Sequence, residues 1–146
     1  MFYVIFIKRV VDISCSFVAI ILLSPLLIPI VIGLLLTGEH YVFYSQERIG
    51  FHNKKFNVFK FATMLKNSPN IGNGLHTTNM DPRILPMGRF LRKSKINELP
   101  QLFNILFGNM SVIGPRPLIL ETFEFYSKDV KHALSILKPG LSGVGS

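Results

Sequence analysis

The chain has 146 residues, of which 49% are hydrophobic, 16% charged and 12% aromatic, and its mean hydropathy is +0.40. The apolar content excludes a disordered chain, which needs few apolar residues and a high charge density. Sixteen lysines and arginines against eight acidic residues give a net charge of +8. We therefore expect an anionic partner: nucleic acid, a lipid headgroup or a phosphorylated small molecule. The single Cys15 excludes an internal disulfide, and no Cys/His cluster has zinc spacing, so a reducing, cytoplasmic compartment fits.

The most apolar part of the chain is an uncharged run of 24 residues, 13–36. At about 1.5 Å per residue, a helix of this length is enough to cross the roughly 30 Å hydrocarbon layer of a membrane. A signal peptide is one alternative, because Lys8 and Arg9 precede the run. The run is longer than the usual apolar region of about 7–15 residues, and no small-residue cleavage site follows it. We therefore predict that the segment is retained in the membrane.

The centre of this run carries Ser24 and Pro25, with Pro29 one turn later. A proline in a helix removes a hydrogen-bond donor and clashes with the carbonyl four residues earlier. The basic pair before the run predicts a cytoplasmic N-terminus, and 14 basic against 7 acidic residues after position 37 favour the cytoplasm for the remainder. We therefore predict a re-entrant membrane helix hairpin over residues 1–37, broken at Ser24-Pro25. A kinked helix that spans the membrane once is the alternative.

Residues 38–146 are predicted to form a cytoplasmic domain, so that the whole chain is mainly α with a small β-hairpin. Strands are expected at 41–44 and 56–61 with a turn at 50–54, and a surface loop at 67–79. Helices are expected at 84–92, from Asn97 to Gly108, and at 118–137. The first should bury Leu85, Phe90 and Leu91, and the second Leu99, Leu102, Phe103 and Leu106. The apolar faces of these amphipathic helices are expected to enclose a small cytoplasmic core.

A basic run precedes the second of these predicted helices. It contains Arg83, Arg89, Arg92, Lys93 and Lys95, without an acidic residue until Glu98. With Asn97 as its N-cap, the helix would offer free N–H groups and the positive end of its dipole to an anion. We therefore predict a phosphate site flanked by Arg92 and Lys95; a solvated basic face beside a membrane is the alternative.

Two further residues suit phosphate chemistry. Arg116 lies between two prolines in the segment 114–117, which predicts an extended backbone and a guanidinium ready for bidentate phosphate contact. Glu98 is the carboxylate nearest the predicted anion site, and one carboxylate with substrate phosphates is a usual Mg²⁺ site. A plain turn and a first-turn helix carboxylate are the respective alternatives. The sequence has no Gly-rich phosphate loop, serine-nucleophile motif or zinc signature.

Taken together, these motifs resemble the bacterial sugar transferase family, the monotopic phosphoglycosyl transferases that start glycan assembly on polyprenol phosphate. The block from Glu98 to Pro117 is highly specific, and the resemblance covers nearly the whole chain in one order. The matching positions include Lys8-Arg9 with Asp12, Ser24-Pro25, 46–50, Lys60-Phe61, 63–64, 81–83, Gly88, 91–92, 98–102, Asn104, Gly108, 110–111 and 114–117.

The resemblance implies a re-entrant helix broken at Ser24-Pro25 and amphipathic helices on the cytoplasmic face of the bacterial inner membrane. It implies transfer of a sugar phosphate from a nucleotide sugar, expected to be a UDP-sugar, to polyprenol (undecaprenyl) phosphate with Mg²⁺. This would be the first membrane step of exopolysaccharide, capsule, O-antigen or glycoprotein glycan assembly. Partners would be inner-membrane lipids and downstream glycosyltransferases, with no nucleic acid. The implied catalytic residues are Asn97 and Glu98, with Glu98 on the metal; Lys60, Arg92, Lys95 and Arg116 would bind phosphate.

Three departures from the family pattern bear on activity. The family pair Asp-Glu is here Asn97-Glu98, so the covalent step would need Glu98, or polyprenol phosphate would attack directly. Ala62 replaces a usual basic residue, and the chain ends at 143–146 where family members continue, which predicts a C-terminal truncation. The alternative function is therefore a catalytically impaired or truncated homologue that acts as a membrane-bound binding or scaffold protein. A nucleic-acid-binding protein would explain the charge but not the membrane segment.

Overall fold

The computed structural model describes residues 2–71 and 81–143, and about half of these residues are α-helical. The helices are α1 (Phe2–Leu36), α2 (Pro86–Lys93), α3 (Gln101–Phe107), α4 (Leu120–Glu124) and α5 (Lys128–Ser135). The strands are β1 (Phe43–Ile49), β2 (Lys55–Phe61), β3 (Ser111–Ile113) and β4 (Gly140–Ser142). The described chain divides into two compact units: 2–22, 45–59 and 101–143 form the first, and 23–44, 60–71 and 81–100 the second.

The uncharged run lies in the single helix α1, which contains Pro25 and Pro29. Residues 5–36 are long and apolar enough to cross a membrane, and only 11% of their most apolar stretch is buried. The helical backbone continues through Ser24-Pro25, so the predicted division into two helices is not observed. A proline inside a helix removes one hydrogen bond and bends the helix without having to end it. The re-entrant course stays a prediction.

The predicted hairpin is present as the paired strands β1 and β2. A five-residue connection can join only antiparallel neighbours, and the predicted turn at 50–54 is confirmed by the bond from the Gly50 N–H to the Lys54 carbonyl, 2.9 Å. The prediction for the first strand was wrong, because β1 begins at Phe43 and continues to Ile49. Its polar residues alternate between exposed and half-buried positions, so pairing with β2 extends the strand beyond the aromatic run.

In the first unit, α3 begins at Gln101, four residues later than predicted, and ends as predicted at Gly108, where φ is +89°. Its buried residues are Gln101, Leu102, Asn104 and Ile105, whereas Phe103 is exposed. Of the predicted apolar face, Leu102 is buried as expected and Leu99 and Leu106 are half-buried, whereas the prediction for Phe103 was wrong. Asn104 faces inward because its side chain accepts from the Phe59 N–H at 2.9 Å and donates to the Asn57 carbonyl at 2.7 Å.

The strands β3 and β4, which the sequence analysis missed, form a parallel pair with Ser111 opposite Gly140 and Ile113 opposite Ser142. Their ends approach so closely that a Cβ on Gly140 would lie 2.1 Å from the Gly114 nitrogen. Strands of three residues have no periodicity to read in the sequence. Only contact between segments about 30 residues apart forms them.

The single helix predicted for residues 118–137 was wrong, because the chain forms α4 and α5 instead. Ser127 begins α5, and its hydroxyl accepts a 3.5 Å hydrogen bond from the Val130 N–H. A serine at this position stops a preceding helix because its side chain satisfies the N–H groups of the next one. The intervening Phe125 is 92% exposed. Capping therefore outweighs the apolar periodicity here.

The second unit has a core of Ile30, Leu34, Phe61 and Leu91. These side chains come from α1, β2 and α2. The predicted helix at 84–92 is confirmed within two residues as α2, and Leu91 is fully buried as expected. Phe90, predicted to face inward, is 63% exposed. Met87 and Leu91, four residues apart, form the inward face of this short helix, and Phe90 lies to one side of it.

Part of the predicted loop at 67–79 is described. Residues Ser68–Asn70 form a short 3-10 turn that begins after Asn67. The side chains of Asn67 and Asn70 hydrogen-bond to each other at 2.7 Å, as asparagines in turns commonly do. Residues 72–79 of the prediction lie outside the described residues.

Candidate functional site

Two predicted site residues, Lys60 and Glu98, lie together in the second unit. Lys60 is near the end of β2, and Glu98 ends the 3-10 turn Ile96–Glu98. The Nζ atom of Lys60 is 3.4 Å from Oε1 of Glu98, with the two side chains 19% and 23% exposed. Because this charged pair is only partly buried, an ionic ligand can reach it. Each charged side chain would then exchange its present partner for the ligand, which costs less free energy than removing an isolated charge from water.

The backbone around Glu98 differs from the predicted helix N-terminus. Lys95 has a left-handed conformation with φ +61°, and the following N–H groups make the short bonds of a 3-10 turn, Glu98 to Lys95 and Leu99 to Ile96, both at 3.1 Å. Pro100 has no N–H to extend this series, so α-helical bonding begins only after it. The prediction of Asn97 as a helix N-cap was therefore wrong, because the α-helix begins only at Gln101. The anion site beside this turn stays a prediction.

Asn97 lies next to Glu98 and is buried, with 7% exposure. This is the position where the resemblance places an aspartate. A neutral carboxamide can be buried there without the cost of burying a charge. The carboxylate that this turn presents is therefore Glu98 alone, and a catalytic role for Asn97 stays a prediction.

The segment after Lys60 also contacts Arg92. Its Nη1 atom lies 3.5 Å from the hydroxyl of Thr63, which is itself buried. The helix that carries Arg92, α2, packs against the turn that carries Glu98. Residues 60–63 thus contact the acidic turn through Lys60 and the basic helix through Thr63. Lys95 is exposed on the connection between them.

One member of the basic run is committed elsewhere. Arg83 is buried, and its guanidinium binds the Asp81 carboxylate through two hydrogen bonds of 2.8 and 2.6 Å. The hydrogen bond and charge of Asp81 raise the pKa of Arg83 above its ordinary value, against the opposing effect of burial. Arg83 is therefore unavailable to a substrate, contrary to its place in the predicted run. The signal in the sequence was Asp81 itself, two residues earlier.

Arg116 lies in the first unit, where the backbone on both sides of it is fixed. The Gly114 N–H donates to the Ser142 carbonyl at 3.0 Å, and the Pro115 carbonyl accepts from the Gly140 N–H at 2.9 Å. On the other side, Nη1 of Arg48 donates to the Pro117 carbonyl at 3.3 Å. The segment is neither helix nor strand, and the Arg116 side chain is exposed at the rim of an apolar pocket lined by Ile49, Leu118 and Phe123.

The first unit also assigns contacts to the basic pair that the sequence analysis used only as a topology signal. Arg9 donates to the carbonyls of Ile105 and Leu106, at 2.5 and 2.7 Å, at the C-terminal end of α3. A cation at this end of a helix opposes its dipole. Lys8 and the nearby Asp12 contact β3. An acid in a largely apolar helix was the signal that could have found this network.

Glu98 suits a magnesium ion only if the substrate supplies most of the ligands. Among residues 2–71 and 81–143, no group of three or more His, Cys, Asp or Glu side chains could hold a metal. In the described part of the second unit, Asp81 is bound to Arg83, and Glu39 accepts from the Lys66 N–H. One carboxylate with substrate phosphates is a usual protein contribution to a Mg²⁺ site. Glu98 fits that pattern.

The sequence matches the bacterial sugar transferase family over residues 3–146. The chain therefore belongs to this family, as its motifs predicted.

Several curated relatives align with most of the chain. It is 38% identical to an undecaprenyl-phosphate galactose phosphotransferase of Salmonella typhimurium, over 95% of this chain and 32% of the relative. It is 36% identical to a UDP-N-acetylgalactosamine-undecaprenyl-phosphate N-acetylgalactosaminephosphotransferase of Aeromonas hydrophila, over 94% of this chain and 33% of the relative. The exopolysaccharide production protein ExoY of Sinorhizobium fredii is 34% identical, over 94% of this chain and 66% of its own length. The chain thus spans about a third of the first two relatives.

Proposed function

We propose that this chain is a phosphoglycosyl transferase that moves a sugar phosphate from a nucleotide diphosphate sugar to polyprenol phosphate. The observation that carries the proposal is the family match over residues 3–146, supported by relatives named for undecaprenyl-phosphate sugar transfer. These names favour a UDP-sugar as donor and undecaprenyl phosphate as acceptor. They also favour the enzymatic interpretation over a binding or scaffold protein. The lipid-linked product would pass to glycosyltransferases of exopolysaccharide, capsule or O-antigen assembly.

Two routes are compatible with one carboxylate at the site. In the direct route, an oxygen of polyprenol phosphate attacks the β-phosphorus of the donor, and the nucleoside monophosphate leaves with the electron pair of the broken P–O bond. In the covalent route, an oxygen of Glu98 attacks the β-phosphorus first, and the nucleoside monophosphate leaves with the electron pair of the broken P–O bond. The product is an acyl phosphate that links Glu98 to the sugar phosphate. The acceptor then attacks the same phosphorus and releases Glu98. Asn97 serves neither route as nucleophile, because a carboxamide is too weak.

The basic residues bind the phosphate groups in this proposal. Lys60 forms an ion pair with Glu98 at 3.4 Å. A bound diphosphate would either replace Glu98 as the anionic partner of Lys60 or bind Lys60 together with it. Arg92, on the helix that packs against this turn, and Lys95, directly before the turn, add positive charge. In the first unit, Arg116 is by itself a candidate phosphate ligand, because its planar fork matches phosphate oxygens. A Mg²⁺ ion on Glu98 would neutralise part of the diphosphate charge when bound.

We further propose that α1 enters the bacterial inner membrane from the cytoplasm and returns to it, with the remaining residues on the cytoplasmic face. Support comes from the exposed apolar side chains along α1, such as Phe17 at 57% and Leu22 at 72% exposure, and from Ser24-Pro25 at its centre. Cysteine labels at both chain ends should react only from the cytoplasmic side. Replacing Ser24 with Ala and Pro25 with Leu should move the N-terminal label to the outside. External labelling of the unaltered N-terminus would contradict the re-entrant course.

The activity is tested by incubating the purified full chain with undecaprenyl phosphate, Mg²⁺ and a panel of radiolabelled UDP-sugars. Label should enter the lipid phase with one donor, and Glu98→Gln should abolish this transfer while leaving the thermal unfolding midpoint close to wild type. Glu124→Gln, an exposed acid on α4, is the matched control and should retain activity. Label held on the protein after acid precipitation would identify the covalent route. Donor binding without transfer from any sugar would overturn the proposal.

A further inference from the structure

Asp12 is a buried acid that the proposed chemistry does not use, 5% exposed on α1. Its Oδ1 atom accepts from the Ser111 hydroxyl and from the Val112 N–H, both at 3.0 Å. Lys8, one turn earlier, lies 3.8 Å from the other carboxylate oxygen. Lys8 also contacts the Ser111 hydroxyl and donates to the Ile113 carbonyl at 3.1 Å. One carboxylate and one ammonium of α1 therefore engage all three residues of β3.

The strand β3 leads directly into the segment that carries Arg116. Gly114 follows Ile113, and its N–H is bound to β4 at Ser142. The contact between Gly114 and Gly140 leaves no space for even a Cβ atom on either residue. There is accordingly little freedom between β3 and Arg116, and a shift of β3 has to move the backbone of Arg116 with it.

We propose that Asp12 is a positioning residue, which sets the backbone of Arg116 by holding β3 against α1. The inference rests on the proposed function, in which Arg116 binds substrate phosphate. A buried carboxylate is stable only when its hydrogen-bond donors and a cation are in place. The Asp12 carboxylate therefore stabilises one position of Ser111 and Val112 relative to α1. An apolar side chain at position 12 would allow several positions of similar energy. The N–H of Val112 and the hydroxyl of Ser111 approach the same oxygen, which makes that placement specific.

A double-mutant cycle with Arg116 tests the inference in the transfer assay. Asp12→Ala should lower kcat/KM for the donor about tenfold, and in an Arg116→Ala background it should add less than about twofold, because the residue it positions is gone. Asp12→Asn keeps the acceptor oxygen for Ser111 and Val112 and should recover most of the loss. Equal losses in both backgrounds would mean that Asp12 acts on the fold alone, which would overturn the inference.

Amide hydrogen exchange supplies a readout that does not need activity. Asp12→Ala should speed exchange at the Val112, Gly114 and Arg116 amides by about tenfold or more, because β3 loses its contact with α1. Ser16→Ala is the matched control: Ser16 is buried one turn later on α1, and its hydroxyl donates to the Asp12 backbone carbonyl at 2.5 Å and not to the Asp12 carboxylate. It should leave these amides unchanged. Unchanged exchange in Asp12→Ala overturns the inference. If exchange is faster in Asp12→Ala but the unaltered chain transfers no sugar, the double-mutant cycle cannot be measured. That result overturns the proposed function and leaves the positioning role of Asp12 supported.

Discussion

Arg83 and Asp81 face each other through two parallel hydrogen bonds, from Nε to Oδ1 at 2.8 Å and from Nη2 to Oδ2 at 2.6 Å. The same guanidinium donates to the carbonyl oxygens of Ser68 and Ile71, both at 2.6 Å. One side chain therefore joins the segment before residue 72 to the segment after residue 80. The bonds to Asp81 and Ser68 are buried and the bond to Ile71 is half-buried, so their loss would leave buried polar groups without partners.

We expect Arg83→Lys to lower the thermal unfolding midpoint by several degrees. Lysine keeps the charge but has no planar fork for Asp81 and cannot reach both carbonyls. Because the pKa of Arg83 is raised above its already high ordinary value, the side chain stays charged and its stabilisation is fully present at neutral pH. The loss should therefore be the same across the neutral range. Arg89→Lys, exposed on α2, is the control. A midpoint equal to that control would contradict the assigned role.

Gly88 packs against the Thr63 backbone, and a Cβ there would lie 2.1 Å from the Thr63 carbonyl oxygen. We expect Gly88→Ala to destabilise the protein by about 1–3 kcal/mol, because two backbone segments must separate. It should also weaken donor binding, since Thr63 contacts Arg92. Gly33→Ala is a matched control, because its new methyl group would meet only the flexible end of Met87. Denaturant unfolding of both variants tests this, and equal stability would refute the close contact.

Asn97→Asp restores the carboxylate that the family resemblance places beside Glu98. The position is 7% exposed, so we expect the aspartate to destabilise the chain by about 1–3 kcal/mol, since a buried group would carry an unpaired charge. If the covalent route runs through this position in relatives, transfer should rise and protein-bound label should accumulate. If this chain works through Glu98, transfer should fall, because a second negative charge meets the diphosphate. An unchanged rate and stability would contradict burial of the side chain.

Arg92→Ala and Arg116→Ala should each weaken donor binding by about 1–3 kcal/mol, because a charge-assisted contact to phosphate is lost. Arg116→Lys should recover only part of this, since lysine lacks the bidentate fork. Binding is measured by calorimetry with the UDP-sugar that supports transfer. Arg89→Ala, on the same helix as Arg92 but exposed, should change affinity little. Full affinity in both alanine variants would remove these arginines from the site.

Burial lowers the pKa of Lys138 below its usual 10.5, and repulsion from Arg9 and Lys8 lowers it further, while Asp12 opposes the shift. The charged form therefore destabilises the fold. Stability should rise as pH increases through the lowered pKa towards 10.5, where the unfolded chain also loses the proton. Lys138→Met should raise the unfolding midpoint at neutral pH and remove this rise. Salt screens only the smaller part of the effect, which comes from repulsion. A Lys138→Met midpoint equal to that of the wild type at neutral pH would contradict this origin.

The sequence by itself determined the features that depend on neighbouring residues. The uncharged run predicted the apolar helix α1, the turn residues predicted the bend at 50–54, and the short amphipathic pattern predicted α2. These elements form because their hydrogen bonds or apolar faces lie within a few residues of one another. The ordered motifs also predicted the family, and with it both members of the Lys60–Glu98 pair. Their 3.4 Å contact joins residues 38 positions apart.

Only the tertiary structure decided where hydrogen-bonding groups find distant partners. The strand β3 exists because Gly140 can approach Ser111, 29 residues earlier in the chain. Likewise, the sequence predicted Arg83 as part of a phosphate-binding run and Lys8 as a topology signal. The structure shows that Arg83 binds buried Asp81 and that Lys8 lies beside buried Asp12. A buried polar group must be satisfied by whichever residue the fold brings near it. That choice depends on packing between remote segments, which no local pattern encodes.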